Sequence, residues 1–212
     1  MPTLHASRRR LSPSRVTLLA FLGLAVFVTL ITHAAEKSAA TDTSPKISGA
    51  DPARSIEAFR QVATVLRHPR CLNCHPAGDF PRQGDDRHRH TMRVVRGPDD
   101  HGAPAMKCSS CHQAVNQQNG VPGAPHWGLA PKSMAWEGLD DHELAEMLKD
   151  PARNGKRSLE QLFEHNAHDE LVGWAWNPGA GRETPPLSRE EFVRALRAWI
   201  DTGAISPEPA KK

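Results

Sequence analysis

The chain has 212 residues, with 27 Lys and Arg against 24 Asp and Glu and a formal net charge of +3. That length holds one domain or two small ones. The positive balance is N-terminal: residues 1–34 contain Arg8, Arg9, Arg10 and Arg15 and no acid, which leaves 27 − 4 = 23 basic against 24 acidic residues, a net of −1, in the remainder. A basic balance confined to one end gives no ground for nucleic-acid binding.

Residues 1–35 read as an export segment. The arginines at 8–10 and 15 precede an apolar or small-residue run from Val16 to Ile31, and Thr32-His33-Ala34 follows as a small-residue cleavage pattern. The run is long for a signal core and a little short of the ~20 residues that span a bilayer. A cleaved signal and a retained inner-membrane anchor both fit it, and either places the rest of the chain in the periplasm. Residues 36–50, rich in Ser, Thr, Ala and Lys, read as a disordered linker.

Order is expected from Asp51. This residue is an N-cap with Pro52 at the first helical position, and Ile56, Phe59, Ala63 and Leu66 follow at helical spacing up to about Arg67. Residues 71–138 are dominated by loops, with prolines at 76, 81, 98, 104, 122, 125 and 131. A loop region that long inside a compact domain needs something large and apolar to wrap. Helices return at Asp140 or Asp141 to Lys149, from Ser158 with Gln161 in a capping box, and from Ser188 with Glu191 in another, ending at Gly203. No segment alternates in the two-residue period of a strand, so the fold class is all-α with long loops. The ordered domain is expected over 51–206, with a disordered tail at 207–212.

The cysteines carry the chemistry. Cys71-Leu72-Asn73-Cys74-His75 and Cys108-Ser109-Ser110-Cys111-His112 are both C-x-x-C-H, and they use all four cysteines. This is the spacing for covalent c-type haem attachment. Two thiols three positions apart sit on one turn and reach the two vinyl groups of a haem, while the adjacent histidine meets the iron from the proximal side. Two disulfides would suit an exported chain with an even cysteine count, and two C-x-x-C knuckles could hold zinc. Neither needs a histidine directly after each pair, and the chain has only 12 histidines.

The doubled motif on an exported chain resembles the dihaem c-type cytochromes, and Leu196–Ala204 resembles the last helix of bacterial cytochrome c domains. From about Ile56 to Pro207 the chain is similar to proteobacterial dihaem proteins labelled as subunits of isoquinoline 1-oxidoreductase. The similarity runs through His68–Pro76, Gln83-Gly84-Asp85-Asp86, Arg96-Gly97-Pro98 and His168-Asp169. It implies a cytochrome c-like fold in which two covalently bound haems form much of the core. It also implies service as electron acceptor to a partner, a molybdenum hydroxylase. The chain has no molybdopterin, flavin or iron–sulfur motif of its own.

The expected sites are therefore Cys71, Cys74, Cys108 and Cys111 for attachment and His75 and His112 as proximal ligands. Distal candidates for the first iron are His88, His90, Met92 and His101, which lie between the motifs. For the second they are His165 and His168 downstream, with His126, Met134 and Met147 as further options. His68 lies too close to Cys71 for its own haem and is a candidate for the other. Arg87, Arg89, Arg93 and Arg96 could fork onto haem propionates or form a solvated loop. The carboxylate pairs Asp99-Asp100, Asp140-Asp141 and Glu190-Glu191 have cap or surface explanations, so no acid–base catalysis is assigned. An electron carrier is the expected function. A dihaem peroxidase or a haem-based sensor would differ in leaving one iron open.

Overall fold

The computed structural model describes residues 49–211. The export segment at 1–35 and most of the linker at 36–50 lie outside the described residues. The described chain is partly helical with few strands.

Helix α1 (Pro52–Leu66) starts as its sequence dictates: the Asp51 carboxylate accepts from the Arg54 N–H at 3.1 Å, and Pro52 fills the first position. Its apolar face buries Phe59, Val62, Val65 and Leu66. A short helix α2 (Pro69–Leu72) follows, then loops containing two antiparallel ladders of two residues each. These are β1 (Arg82–Gln83) with β2 (His88–Arg89), and β3 (Gly102–Ala103) with β4 (Met106–Lys107). Ladders this short cannot show a two-residue hydrophobic alternation, which is why the sequence pattern points only to helices.

Helix α3 (Asp141–Lys149) is opened by a reciprocal capping box of Asp140 and Glu143. Ser158 and Gln161 open α4 (Leu159–His168), and Ser188 and Glu191 open α6 (Arg189–Asp201), in the same way. Between them lies α5 (Glu170–Gly173), capped by Asp169.

The core forms where α1 and α6 pack together, with α3 and α4 closing it. Trp199 of α6 is fully buried, with its ring centre 5.0 Å from that of Phe59. Full burial of one such side chain stabilises by about 1.5–3 kcal/mol. Ser55 pins the two helices: its hydroxyl donates to the Trp199 carbonyl at 3.2 Å and accepts from the Ile205 N–H at 2.9 Å. Arg197 forks onto Glu160 at 2.7 and 2.8 Å, tying α6 to α4.

The stretch after 206, expected as a disordered tail, lies instead against α3. The Pro207 carbonyl accepts from His142 Nδ1 at 2.9 Å, and the Ala210 N–H donates to the Asp140 carboxylate at 3.1 Å. Composition alone suggested a free end, because both partners come from a helix some 65–70 residues earlier in the chain. Among the described residues no helix is long and apolar enough to cross a membrane.

Candidate functional site

Both pentapeptides fold into the same turn. In the first, α2 runs into Asn73 and Cys74, and the His75 N–H donates to the Cys71 carbonyl at 3.2 Å. In the second, a 3-10 turn over Cys108–Ser110 lets the His112 N–H donate to the Cys108 carbonyl at 2.9 Å. Each turn gathers its two cysteines and its histidine. All four thiols are free, three of them partly buried and Cys111 exposed.

The two histidines are also held alike. His75 Nδ1 lies 2.8 Å from the Met134 carbonyl, and His112 Nδ1 lies 2.7 Å from the Pro122 carbonyl. A carbonyl can only accept, so each Nδ1 carries the proton and each Nε2 keeps its lone pair for a metal. Each ring also lies flat on an indole. His75 stacks on Trp136 with centres 3.4 Å apart and planes at 10°, and His112 on Trp127 at 4.5 Å and 7°.

A cavity of about 270 Å³ opens beside the first turn. Its apolar wall includes Val65, Leu66, Leu129, Leu162 and Phe192, and Cys71, Cys74 and His75 face it. Burial keeps His75 neutral, lowering its pKa to about 3. Burial and the Cys74 thiol push Cys71 up to about 12, and burial and the Cys108 thiol push Cys74 up to about 11. The Cys108 thiol is thus one of the groups that bear on Cys74. Trp174 joins the two turns: it lines the cavity, and its ring meets Trp127 edge-on at 4.8 Å.

These residues fit a haem. The donor set is a thiol pair and a tautomerically fixed imidazole, facing an apolar cavity. Trp136 Nε1 is a buried donor with no hydrogen-bond partner among the described residues, and Trp136 lines the same cavity. An orphaned buried donor suits a ligand acceptor such as a carboxylate. At the second turn the sign is exposed apolar surface. The large hydrophobic side chains most exposed in the described chain, Met92, Val95, Met106 and Val115, all fall within 92–115, around Cys108–His112. Among the described residues no three His, Cys, Asp or Glu side chains converge on one point.

The distal candidates are distributed unlike their order in the chain. His90 sits by the second turn, its ring centre 6.2 Å from that of His112. Its Nδ1 accepts from the Met92 N–H at 3.2 Å. His165 lines the cavity of the first turn, and burial, followed by Arg157, lowers its pKa. His126 lines that cavity from an exposed position. His101 is exposed, with Nδ1 2.5 Å from the Asp99 carbonyl. Its ring lies over Gly128, where a Cβ would fall 2.8 Å from it. His168 has a side chain 72% exposed and pairs with Glu164 at 3.3 Å. Met92 is 62% exposed. His68 caps α2, accepting from the Arg70 N–H at 3.3 Å, and His88 pairs with Asp86 at 2.6 Å. Met134 lies behind His75, whose ring its carbonyl holds, and Met147 is buried in the core.

The arginine stretch is mostly engaged by the protein itself. Arg87 and Arg82 share Glu137 at 2.8 and 3.1 Å, Arg96 binds Asp100 at 2.6 Å and the Ala130 carbonyl at 2.5 Å, and Arg89 lies over Phe80. Sequence reasoning missed the carbonyls of Met134 and Pro122 and the stacking of Trp136 and Trp127 on the two histidines. No local pattern marks them, since their partners are 10–61 residues away. The i,i+4 spacing of His165 and Asp169 was a usable signal.

No protein-family model matches the chain, and no curated protein and no solved structure was found similar to it.

Proposed function

We propose that the chain is an exported dihaem c-type cytochrome that transfers electrons. One observation carries this reading: two C-x-x-C-H turns, far apart in sequence, hold their histidines identically, with Nδ1 on a backbone carbonyl and the ring face on a tryptophan. A disulfide or a zinc knuckle has no use for that arrangement.

Cys71 and Cys74, and Cys108 and Cys111, are the attachment thiols, and His75 and His112 the proximal ligands. A bound haem supplies a one-electron iron couple whose potential depends on axial ligands, hydrogen bonding and burial. The chain's contribution is to orient and shield. The carbonyls of Met134 and Pro122 fix each tautomer and raise the basicity of each Nε2. The wall of Leu66, Leu129, Leu162 and Phe192 keeps water from the first site. The contact of Trp174, on the wall of the first cavity, with Trp127, the indole stacked on His112, suits electron passage between two centres and on to a partner. The basic and apolar N-terminal segment supports a periplasmic location, soluble or anchored. The partner suggested by the resemblance is a molybdenum hydroxylase.

The test is the intact mass of the protein from a host with c-type cytochrome maturation, with its alkaline pyridine spectrum. A mass raised by two haems with a matching reduced spectrum is expected. An unmodified mass, with bound zinc or with two disulfides, overturns the proposal.

A further inference from the structure

Helix α4 turns one face to the cavity of the first turn. Leu162, His165, Asn166 and Asp169 all line it, at the i, i+3, i+4, i+7 spacing of a single helical face, with Asp169 at the C-terminal cap. Leu162 is buried and anchors that face in the core. His165 thus reaches into the same cavity as His75 but from a separate element. His75 is held by the loop around Met134, and His165 by a helix 90 residues further along the chain.

The geometry points to His165 as the distal ligand of the iron held by His75, with Asp169 as its positioning residue. This assignment rests on the dihaem reading.

The cavity offers few competitors. Of the imidazoles that line it, His75 has the proximal role and His126 sits in an exposed position. Met134, the thioether on the wall, lies with its backbone behind the His75 ring and so belongs to the proximal side. His165 also has the partner that a ligand histidine uses. Its Nδ1 is 3.5 Å from the Asp169 carboxylate, one turn on. A carboxylate there accepts from Nδ1–H, which leaves the Nε2 lone pair to a metal and aims the ring. Asp169 is itself immobilised. One carboxylate oxygen accepts from the Val172 N–H at 3.0 Å as the cap of α5, and its backbone carbonyl accepts from Arg189 at 2.9 Å. The oxygen that faces His165 is the other one.

With His75 and His165 both bound, a haem held there would have no open position at its iron and would change oxidation state without binding a substrate. Sequence proximity suggests a ligand from the segment between the motifs. The fold supplies one from beyond the second motif.

The experiment uses the full-length holoprotein, with intact mass taken first for the parent and each variant. Two covalent haems on the parent establish the dihaem reading, and their absence overturns that reading whatever His165 does. With two haems present, the reduced parent is expected to bind no carbon monoxide at the first iron. His165→Ala is expected to keep both haem masses, turn one iron high-spin and bind one carbon monoxide per chain, and added imidazole should restore the low-spin spectrum. His126→Ala should do none of this. If His165→Ala fails to accumulate, His165→Met replaces one ligand with another and should raise the potential of one haem. Asp169→Asn keeps the cap on α5 and the coordination, yet should raise the potential of that same haem, which a merely structural role would not do. His165→Ala with two haems, an unchanged spin state and no carbon monoxide binding overturns the assignment, as does His165→Met with both potentials unchanged.

Discussion

The two C-x-x-C-H turns are alike in backbone and unlike in setting. The first is seated in the helical core, beside a cavity walled by residues of α1, α4 and α6. Its carbonyl and its tryptophan come from residues 59 and 61 positions downstream. The second is made of loops. Its carbonyl comes from Pro122, ten residues on, its tryptophan stacks at 4.5 Å rather than 3.4 Å, and Cys111 is exposed. The gathering of two thiols and a histidine is therefore a local property, satisfied by five residues and a turn. Burial is not: it depends on which helices surround the turn.

The largest expected difference between them is in folding. Removing one thiol at the first turn leaves an unfilled cavity among α1, α4 and α6, while the same loss at the second leaves the helical core untouched. Cys74→Ala should lower the yield of folded protein several-fold or more, and Cys111→Ala distinctly less. Soluble holoprotein per cell, measured by haem stain and thermal melting, tests this. Equal losses would mean that both haems serve as core.

The stacked tryptophans provide the next contrast. Trp136→Ala should cost about 3–5 kcal/mol in denaturant unfolding, since the indole is buried. Trp127→Ala, at a half-buried indole, should cost roughly 1–2 kcal/mol. A reversed order would show that the second turn is packed more tightly than its exposure suggests.

Access should differ too. A bulky chemical reductant should reduce the two haems in separate phases, the second-turn haem first because Cys111 is exposed. A single phase at all reductant concentrations would break the comparison or show that electrons equilibrate between the haems faster than they enter. Varying the reductant's size distinguishes these.

The smallest effect concerns the link between the regions. Glu137, next to Trp136, accepts from the Ala77 N–H at 3.0 Å and from Arg82 and Arg87, and so ties the loop after the first turn to that tryptophan. Glu137→Gln removes the charge from these bonds. It should cost about 1 kcal/mol, read as a shift in urea midpoint with an unchanged slope. A larger loss would place the loop in the folding core of the first site.

Much of this was legible beforehand, and which part follows from range. The starts of α1, α3, α4 and α6 were readable because a cap is a contract between residues three apart, such as Ser158 with Gln161 or Ser188 with Glu191. The short α2 and α5 were not, since four residues carry too little periodicity. The contacts of Pro207 and Ala210 with His142 and Asp140 were not legible, because their partners lie 65 and 70 residues earlier.

The candidate site divides in the same way. The gathering of Cys71, Cys74 and His75, and of their counterparts at 108–112, was legible because the two thiols and the histidine of each set share one turn. What lies opposite each histidine has no such local constraint. His90, expected across from His75, lies by His112, and His165, expected at the second turn, lines the cavity of the first. By itself the sequence determined the two cysteine–histidine turns and the helices that begin with a cap, since both are set by neighbours along the chain. Only the tertiary structure decided which carbonyl, which indole and which second imidazole each turn faces, because those partners meet through the packing of α1, α4 and α6 and not through spacing.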